Sequence, residues 1–509
     1  MASRRDQLNA YTFAKRRTLA AFLQPSPVGS EEGAPKPLGA LVPGVVVGVV
    51  ILAVFGGIGM FSPTAPKGWD KPEEHVIVAS ESTTRYVVLK TDDQKQLHPV
   101  LNMASARLLL DPSKDSVITV DEKILDSGKL PHGATIGIPY APDRLPSSEE
   151  AETAKHWAVC ERPSAGGRAI QKAAFVFAKK DWSKTEGRNK LSGGDLMYVV
   201  APDGKTQYVV DAQGSKYQLA ELADTELLKA LDTQGRAPQR VSQEWLDTLH
   251  EGDKISIPKI TGTPGAKAGA ASSLGQYDKV GMVIKAYDGR LMQYYVVLQG
   301  HVARISEFTA TLLLNSGDLV GVGQAGEAQQ VSPGAVADSA TFEGNKNWPT
   351  YKPKTVNDGA SAISGRNTVC NVLRSVDGKH HGRTTLSTWV GTDFPAQLPT
   401  GSSSAYVTAG SGQLFRQFQG TETTAGGVFL VTDTGLRYAL QSNSDSATDD
   451  SGIGTTAKQR KEELNEAEIA QKRLGYEKVT PAPIPAEWST FLPTGPRLSE
   501  AAARQPQGS

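Results

Sequence analysis

An excess of charge is missing from this sequence: 54 acidic side chains balance 54 basic ones over 509 residues. An extended nucleic-acid footprint needs a strong basic excess, which sets that class aside. Aromatic residues are sparse at 7%, whereas glycine reaches 51 and proline 30. That balance favours short strands and many turns over long helices. Cysteine is nearly absent, and the two that occur, Cys160 and Cys370, are too few and too far apart to make a zinc site by themselves. Long apolar runs are missing with one exception. Leu38 to Phe61 (LGALVPGVVVGVVILAVFGGIGMF) passes without a charge, and a bilayer core needs about 20 apolar residues in a helix.

The exception sets the topology. So unbroken an apolar run has no polar face to show water, which argues against a buried core helix. A cleaved signal peptide would start near residue 1, with an apolar region of about 7–15 residues, and here a polar tail comes first. Before the run stand Arg4, Arg5, Lys15, Arg16, Arg17 and Lys36, against Asp6, Glu31 and Glu32; after it come Lys67 and Lys71. Basic residues near a span stay in the cytoplasm. The N-terminus is therefore expected inside and residues from about 62 outside. Both cysteines fall in the external part, where an oxidising compartment favours pairing. A bridge would close a loop of about 210 residues, worth roughly 5 kcal/mol in the chain-entropy account. Two buried free thiols are the alternative.

Catalytic signatures are also missing. Gly204-Lys205-Thr206 copies the end of a phosphate-binding loop, but the glycine such a loop requires would fall at Val199. The segment lies at a hairpin turn with no helix start following it, so a turn is the reading. His380-His381 lacks a spacing partner for metal, and no Gly-x-Ser-x-Gly elbow occurs, Ser402 to Ser404 lying in loop-like sequence. Trp389-Val390-Gly391, followed by Pro395 and Pro399, reads as a core strand. No catalytic residue, cofactor or metal is expected.

What is present is repetition. A pair of short apolar strands occurs four times, the second opening with tyrosine: Val76–Val78 with Tyr86–Leu89, Met197–Val200 with Tyr208–Val210, Met282–Ile284 with Tyr294–Leu298, and Phe429–Val431 with Tyr438–Leu440. Asp203-Gly204 and Asp288-Gly289 supply hairpin turns. Leu101 precedes Leu109-Leu110 by the same spacing as Leu219 before Leu227-Leu228 and Ile305 before Leu313-Leu314, which suggests one helical face. A closing segment recurs in Leu130-Pro131-His132-Gly133, Leu249-His250-Glu251-Gly252 and Leu492-Pro493-Thr494-Gly495, and Glu244-Trp245-Leu246 resembles Glu487-Trp488-Ser489. The third copy has no clear closing segment.

Two stretches, each with one cysteine, fall outside the repeats, and together they suggest one core interrupted by repeats. The fold class expected is α+β: an N-terminal amphipathic helix (Arg4 to Leu23), one transmembrane helix, then an elongated extracytoplasmic domain with a β-rich split core and four small α/β repeats. The boundaries are a cytoplasmic tail over 1–37, the transmembrane helix over 38–61, repeat 1 over 62–150, core over 151–193, repeat 2 over 194–262, repeat 3 over 276–335, core again over 336–423, repeat 4 over 424–498 and a disordered tail over 499–509. Gly262 to Gly275 reads as a linker, and Lys458 to Leu474 as a charged helix within repeat 4.

Arg5-Asp6-Gln7-Leu8, Tyr11-Thr12-Phe13 and Arg16-Arg17, the apolar stretch soon after them, the repeats and the two distant cysteines together resemble EccB, a family of membrane components of the ESX (type VII) secretion system of actinobacteria. The resemblance implies a structural subunit of the secretion membrane complex, joined to EccC (the motor ATPase), EccD and EccE, and associating with copies of itself through its external part. It also implies a docking helix carrying Arg5, Asp6, Tyr11, Phe13, Arg16 and Arg17. Family members have been described as ATPases, and their repeats resemble a cell-wall-binding unit of phage lysins. An extracytoplasmic ATPase and a wall-binding module therefore stand as alternatives.

Overall fold

The computed structural model describes residues 3–23, 38–61, 65–91, 94–114, 116–164, 169–220, 225–324, 326–336, 339–342, 344, 346–359, 365–399, 404–441 and 466–507. They divide into two units, Met1–Pro66 with Val120–Ser127, and Lys67–Thr119 with Gly128–Ser509.

In the first unit, α1 (Arg4–Leu23) is closed at its start by reciprocal bonds. The Ser3 N–H donates to the Asp6 carboxylate and the Asp6 N–H donates to Ser3 Oγ, which satisfies donors that a helix start leaves open. α2 (Leu38–Phe61) has the same bounds as the charge-free stretch. Among the described residues, no helix is long and apolar enough to cross a membrane. The side chains described on α2, from Leu41 to Val54, are uncharged and nearly all exposed.

The second unit builds one arrangement four times. A three-stranded antiparallel meander is followed by a helix, a strand beside the meander's first strand, a short helical turn, and a closing segment parallel to the third strand. Repeat 1 has β1 (His75–Ala79), β2 (Arg85–Thr91), β3 (Gln94–Val100), α3 (Met103–Leu108) and β4 (Ser116–Val120) beside β1, while its short turn α4 (Glu122–Leu125) falls in the segment counted with the first unit. Its closing bridges pair Leu97 with His132 and Val100 with Ile136. α5 (Ser148–Glu152) leads to the first core strands, β5 (His156–Pro163) and β6 (Ile170–Phe177).

Repeat 2 follows with β7 (Asp195–Val200), β8 (Gln207–Val210), β9 (Ser215–Gln218), α6 (Thr225–Ala230), β10 (Gln239–Arg240), α7 (Gln243–Asp247) and β11 (His250–Glu251). Repeat 3 has β12 (Val283–Tyr287), β13 (Met292–Leu298), β14 (His301–Ile305), α8 (Glu307–Leu314), β15 (Gln329–Gln330) and β16 (Ala340–Thr341). The chain returns through β17 (Lys354–Thr355), parallel to β7. It then completes the core with β18 (Thr368–Asp377), β19 (Arg383–Gly391) and β20 (Ala405–Val407), in the order β19-β18-β5-β6-β20. Repeat 4 has β21 (Gly412–Phe418), β22 (Val428–Thr432), β23 (Arg437–Ala439), α9 (residues 466–473), β24 (Ala482–Pro485) and α10 (Ala486–Ser489). Its closing bridge pairs Arg437 with Thr494, and α11 (Glu500–Ala503) follows.

Shared apolar interiors give the packing order. Repeats 1 and 4 enclose one core, in which Val76, Val87 and Leu108 meet Leu430, Tyr438 and Leu474. The split core, repeat 2 and repeat 4 share a second, built on Trp157, Val369, Met197, Trp245, Phe415 and Trp488. Repeat 3 has its own interior, but Phe308 and Leu312 of α8 pack into that of repeat 2. Trp245 and Trp488 occupy equivalent places on α7 and α10, both fully buried.

Several expectations need correction. Leu101 and Leu219 follow the third strand and Ile305 ends it, so their recurrent spacing measures strand end to helix, not one helical face. In repeat 4 the tyrosine-led strand is the third of the meander, because β21 precedes the pair identified from sequence. Tyr438 is therefore equivalent to Tyr217, not Tyr208. That sheet begins at Gly412, inside the stretch given to the core. Repeat 3 does close, through β16 parallel to β14; a two-residue strand has no period to reveal it. Gly262 to Gly275 is not a free linker, since Ala268 is buried and its backbone bonds Asp278 and Gly300. The tail expected to be disordered is ordered through Gln507. Ser499 caps α11, Ala503 is buried between repeats 1 and 4, and Arg504 pairs with Glu73 and Glu500. Of the charged helix over 458–474, residues 458–465 lie outside the described residues.

Candidate functional site

β5 and β18 run antiparallel with Cys160 directly opposite Cys370, Cα atoms 4.1 Å apart, and the two are joined by a disulfide spanning 210 positions. Both are fully buried beside Phe175, Phe177 and Trp389. Trp389 is registered opposite Cys370 on the other side of β18. The strand reading of Trp389-Val390-Gly391 holds, and the glycine has a cause: a Cβ on Gly391 would strike the Trp389 ring.

One edge of this core meets repeat 2 at a cleft of about 470 Å³, lined by His156, Glu186, Lys190, Gln213, Arg374 and Ser387. Arg374 on β18 is held at all three of its nitrogens. Its Nε donates to Ser387 Oγ (2.7 Å), one terminal nitrogen donates to Glu186 and to His156 Nδ1 (3.2 Å), and the other donates to the Thr185 carbonyl (3.2 Å). The His156 ring stacks on Trp182, centroids 4.0 Å apart. Burial, then the Arg374 charge, pull its pKa down to about 4. It is thus neutral at pH 7, as its acceptor role toward Arg374 requires. Burial opposes ionisation of Glu186, but the Lys190 hydrogen bond and the Arg374 charge outweigh it and hold the carboxyl below its ordinary range. The cluster fastens strands to the 3-10 turns Lys179–Thr185 and Gly187–Asn189. Four of the five Arg374 N–H donors are thus spent within the protein.

The same joint holds two buried carboxylates. Asp211 accepts from the backbone N–H of Gln213 and Ser215 (2.9 Å each) and from the Tyr217 hydroxyl (3.0 Å). Glu161 accepts from the Ser242 N–H (2.8 Å) and hydroxyl, at the start of α7. Burial pushes both carboxyls up. Each spends its acceptors on its own joint.

One contact recurs in repeats 1, 2 and 4. The N–H of Gly133 donates to the Leu97 carbonyl, that of Gly252 to Lys216 and that of Gly495 to Arg437. A Cβ on each glycine would strike the ring of the next residue along, His98, Tyr217 or Tyr438. The closing segments were visible in sequence, but the rings beneath their glycines were not. A tyrosine or histidine one or two residues before the end of each of these third strands was the signal.

Gly204-Lys205-Thr206 lies in the β7–β8 turn. The Asp203 carboxylate accepts from the N–H of Lys205 (2.8 Å) and Thr206 (2.9 Å) and from Thr206 Oγ1 (2.6 Å). The donors a phosphate would need thus serve a carboxylate, and a strand follows. His380 bonds Asp377 (2.6 Å) in the β18–β19 turn. No cluster of three potential metal ligands occurs among the described residues. Arg5, Asp6, Tyr11, Phe13, Arg16 and Arg17 all lie on α1, with Tyr11 and Phe13 more than half exposed.

Comparison with known proteins bears on the whole chain. Residues 1–508 match the family described as Type VII secretion system ESX-1, transport TM domain B. The protein named ESX-3 secretion system ATPase EccB3 from Mycolicibacterium smegmatis is 28% identical over 479 residues, covering 90% of this chain and 83% of its own. The ESX-1 secretion system ATPase EccB1 of Mycobacterium tuberculosis is 28% identical over 277 residues, covering 53% and 52%. A chain of an intact ESX-5 inner membrane complex superposes with a TM-score of 0.56 at 20% identity, covering 100% of this chain and 96% of that one. A chain of the EccB3 dimer from the ESX-3 core complex gives 0.54 at 22% identity, covering 84% and 99%. The two structures show the same fold. This chain belongs to the EccB family of the type VII secretion system.

Proposed function

We propose that this protein is a structural subunit of the type VII secretion membrane complex, anchoring and assembling its extracytoplasmic part for protein export. The observation that carries this reading is a family match running from residue 1 to residue 508, across tail, apolar helix, core and repeats. α2 spans the membrane once, with α1 in the cytoplasm and the second unit outside; a charge-free stretch with a basic N-terminal flank supports that topology. EccC, EccD and EccE are its partners in the membrane complex. The exposed helix α1 docks on the cytoplasmic assembly through Tyr11 and Phe13, with Arg5, Asp6, Arg16 and Arg17 beside them. Copies associate through the external unit, in keeping with a relative solved as a dimer.

Deleting Arg4 to Leu23 tests the docking. Loss of co-purification with the other membrane components is expected, and unchanged recovery would sink it. The names of the relatives favour one further reading, an ATPase. If it holds, the purified chain turns over ATP, loses that activity on one acidic substitution and keeps it in Lys205→Ala. Turnover that separates from the chain during chromatography disposes of this reading.

A further inference from the structure

We propose that the edge strand β4 is where two copies of this chain join, by antiparallel strand addition across a two-fold axis. The inference rests on the self-association proposed above and names its surface.

Because the same sheet is built four times, four equivalents of this edge can be compared within one molecule. β10 and β15 are two residues long, Gln239–Arg240 and Gln329–Gln330. β24 is longer but carries Pro483 and Pro485, which have no N–H to offer. Those are ordinary ways of blunting an edge. β4 uses neither. It runs five residues, Ser116-Val117-Ile118-Thr119-Val120, with no proline and no charge. Three of its five positions, Ser116, Val117 and Thr119, are exposed, Val117 at 49%, and Ile118 is half-buried. A β-branched edge left open in this way is a template for another strand.

Its own copy is the strand that fits. A two-fold axis normal to the sheet keeps the two faces matched, which requires one residue to face itself. With Ile118 there, Val117 faces Thr119 of the second copy and Ser116 faces Val120. β-branched pairs of this kind stabilise a ladder, and no like charges meet within the strand. A bulkier or charged strand would lose that match.

The test uses the full-length chain in its native membranes. Val117→Cys, Ile118→Cys and Thr119→Cys are made singly, the native cysteines being already bonded and buried. Mild oxidation should convert Ile118→Cys, the position that faces itself, to a disulfide-linked dimer, whereas Val320→Cys, 77% exposed on repeat 3, should not dimerise. Adding Val117→Lys should abolish the dimer band and leave the melting temperature unchanged. A lysine-reactive cross-linker reports self-association independently of this edge. Copies linked by that reagent but by none of the three cysteines overturn the edge alone. Copies linked by neither overturn self-association as well. Cysteines captured by a different protein, or a dimer that survives Val117→Lys, also overturn it.

Discussion

Replacing Gly252 by alanine tests the contact that recurs in three repeats. The added Cβ would enter the Tyr217 ring. That ring is 3% exposed and cannot swing away freely, because its hydroxyl donates to Asp211 in the joint with the core. Overpacking of this kind costs about 1–3 kcal/mol, and losing a hydrogen bond to a carboxylate costs about 1.5–3 kcal/mol. Against this, alanine restricts the unfolded chain and returns about 0.4–1 kcal/mol. A net loss of roughly 2–5 kcal/mol follows, concentrated in repeat 2. Native-state hydrogen exchange on the full chain should show it as faster exchange in β8, β9 and β11, with repeat 3's own sheet much less affected. In a Tyr217→Ala background the ring is gone, so Gly252→Ala should then cost little. Gly204→Ala is the comparison: φ there is +68° and nothing lies near its Cβ, leaving backbone strain of about 1–2 kcal/mol. Wild-type protection in Gly252→Ala, or an equal cost in both backgrounds, would refute the ring as the cause.

Three further outcomes are expected. Cys160→Ser or Cys370→Ser should lower the stability of the second unit by about 2–5 kcal/mol, and equal melting with and without reductant would contradict this. Ending the chain after Leu498 removes a buried methyl, a helix cap and partly exposed ion pairs, together roughly 1–3 kcal/mol; faster exchange in β3 and α3 should follow, and unchanged protection there would show that the C-terminal tail does not stabilise repeat 1. His156 should make the fold acid-sensitive. Its pKa falls from 6.5 to about 4 on folding, so the unfolded chain binds the extra proton and stability declines as pH drops from about 6.5 towards 4. In His156→Gln that part of the slope should vanish in urea unfolding at a series of pH values, and an unchanged slope would show that the ring does not titrate as described.

Sequence periodicity made the meanders legible because each apolar run is buried and each Asp-Gly turn has one favoured geometry. Val283, Ile284, Val296 and Val297 illustrate this: they are fully buried, and the turn between their strands is closed by Asp288 on the N–H of Arg290 and Leu291. The flanking strands were not legible. Gln239–Arg240, Gln329–Gln330 and Ala340–Thr341 are set by what lies beside them, not by their own pattern. The misplacement of Tyr438 has a similar origin, since any two adjacent strands of a meander look alike without the third. Of the site, the cysteine pair could be argued from compartment and from the split core. Arg374, Glu186 and His156 could not, because they come from distant segments and share no spacing. The tail escaped because Ala501 to Ala503 has no pattern that distinguishes a buried methyl from an exposed one.

The path of the chain explains why the disulfide sits where it does. After β6 the polypeptide leaves the core, builds repeats 2 and 3, and returns at β17 and β18. Repeats 1 and 4, from opposite ends of the second unit, close on each other in one apolar interior. Every contact between the two halves of the core is therefore non-local, and chain connectivity alone would let them separate whenever the excursion between them loosened. Bonding Cys160 to Cys370 gives the core a direct covalent path that bypasses the excursion. On the proposed topology, a pull entering at Lys67 from the membrane side passes through repeats 1 and 4 into the clasped core. It then need not run along the chain through repeats 2 and 3, although repeat 2 still shares its apolar interior with the core. That arrangement suits a subunit whose work is to hold an assembly together.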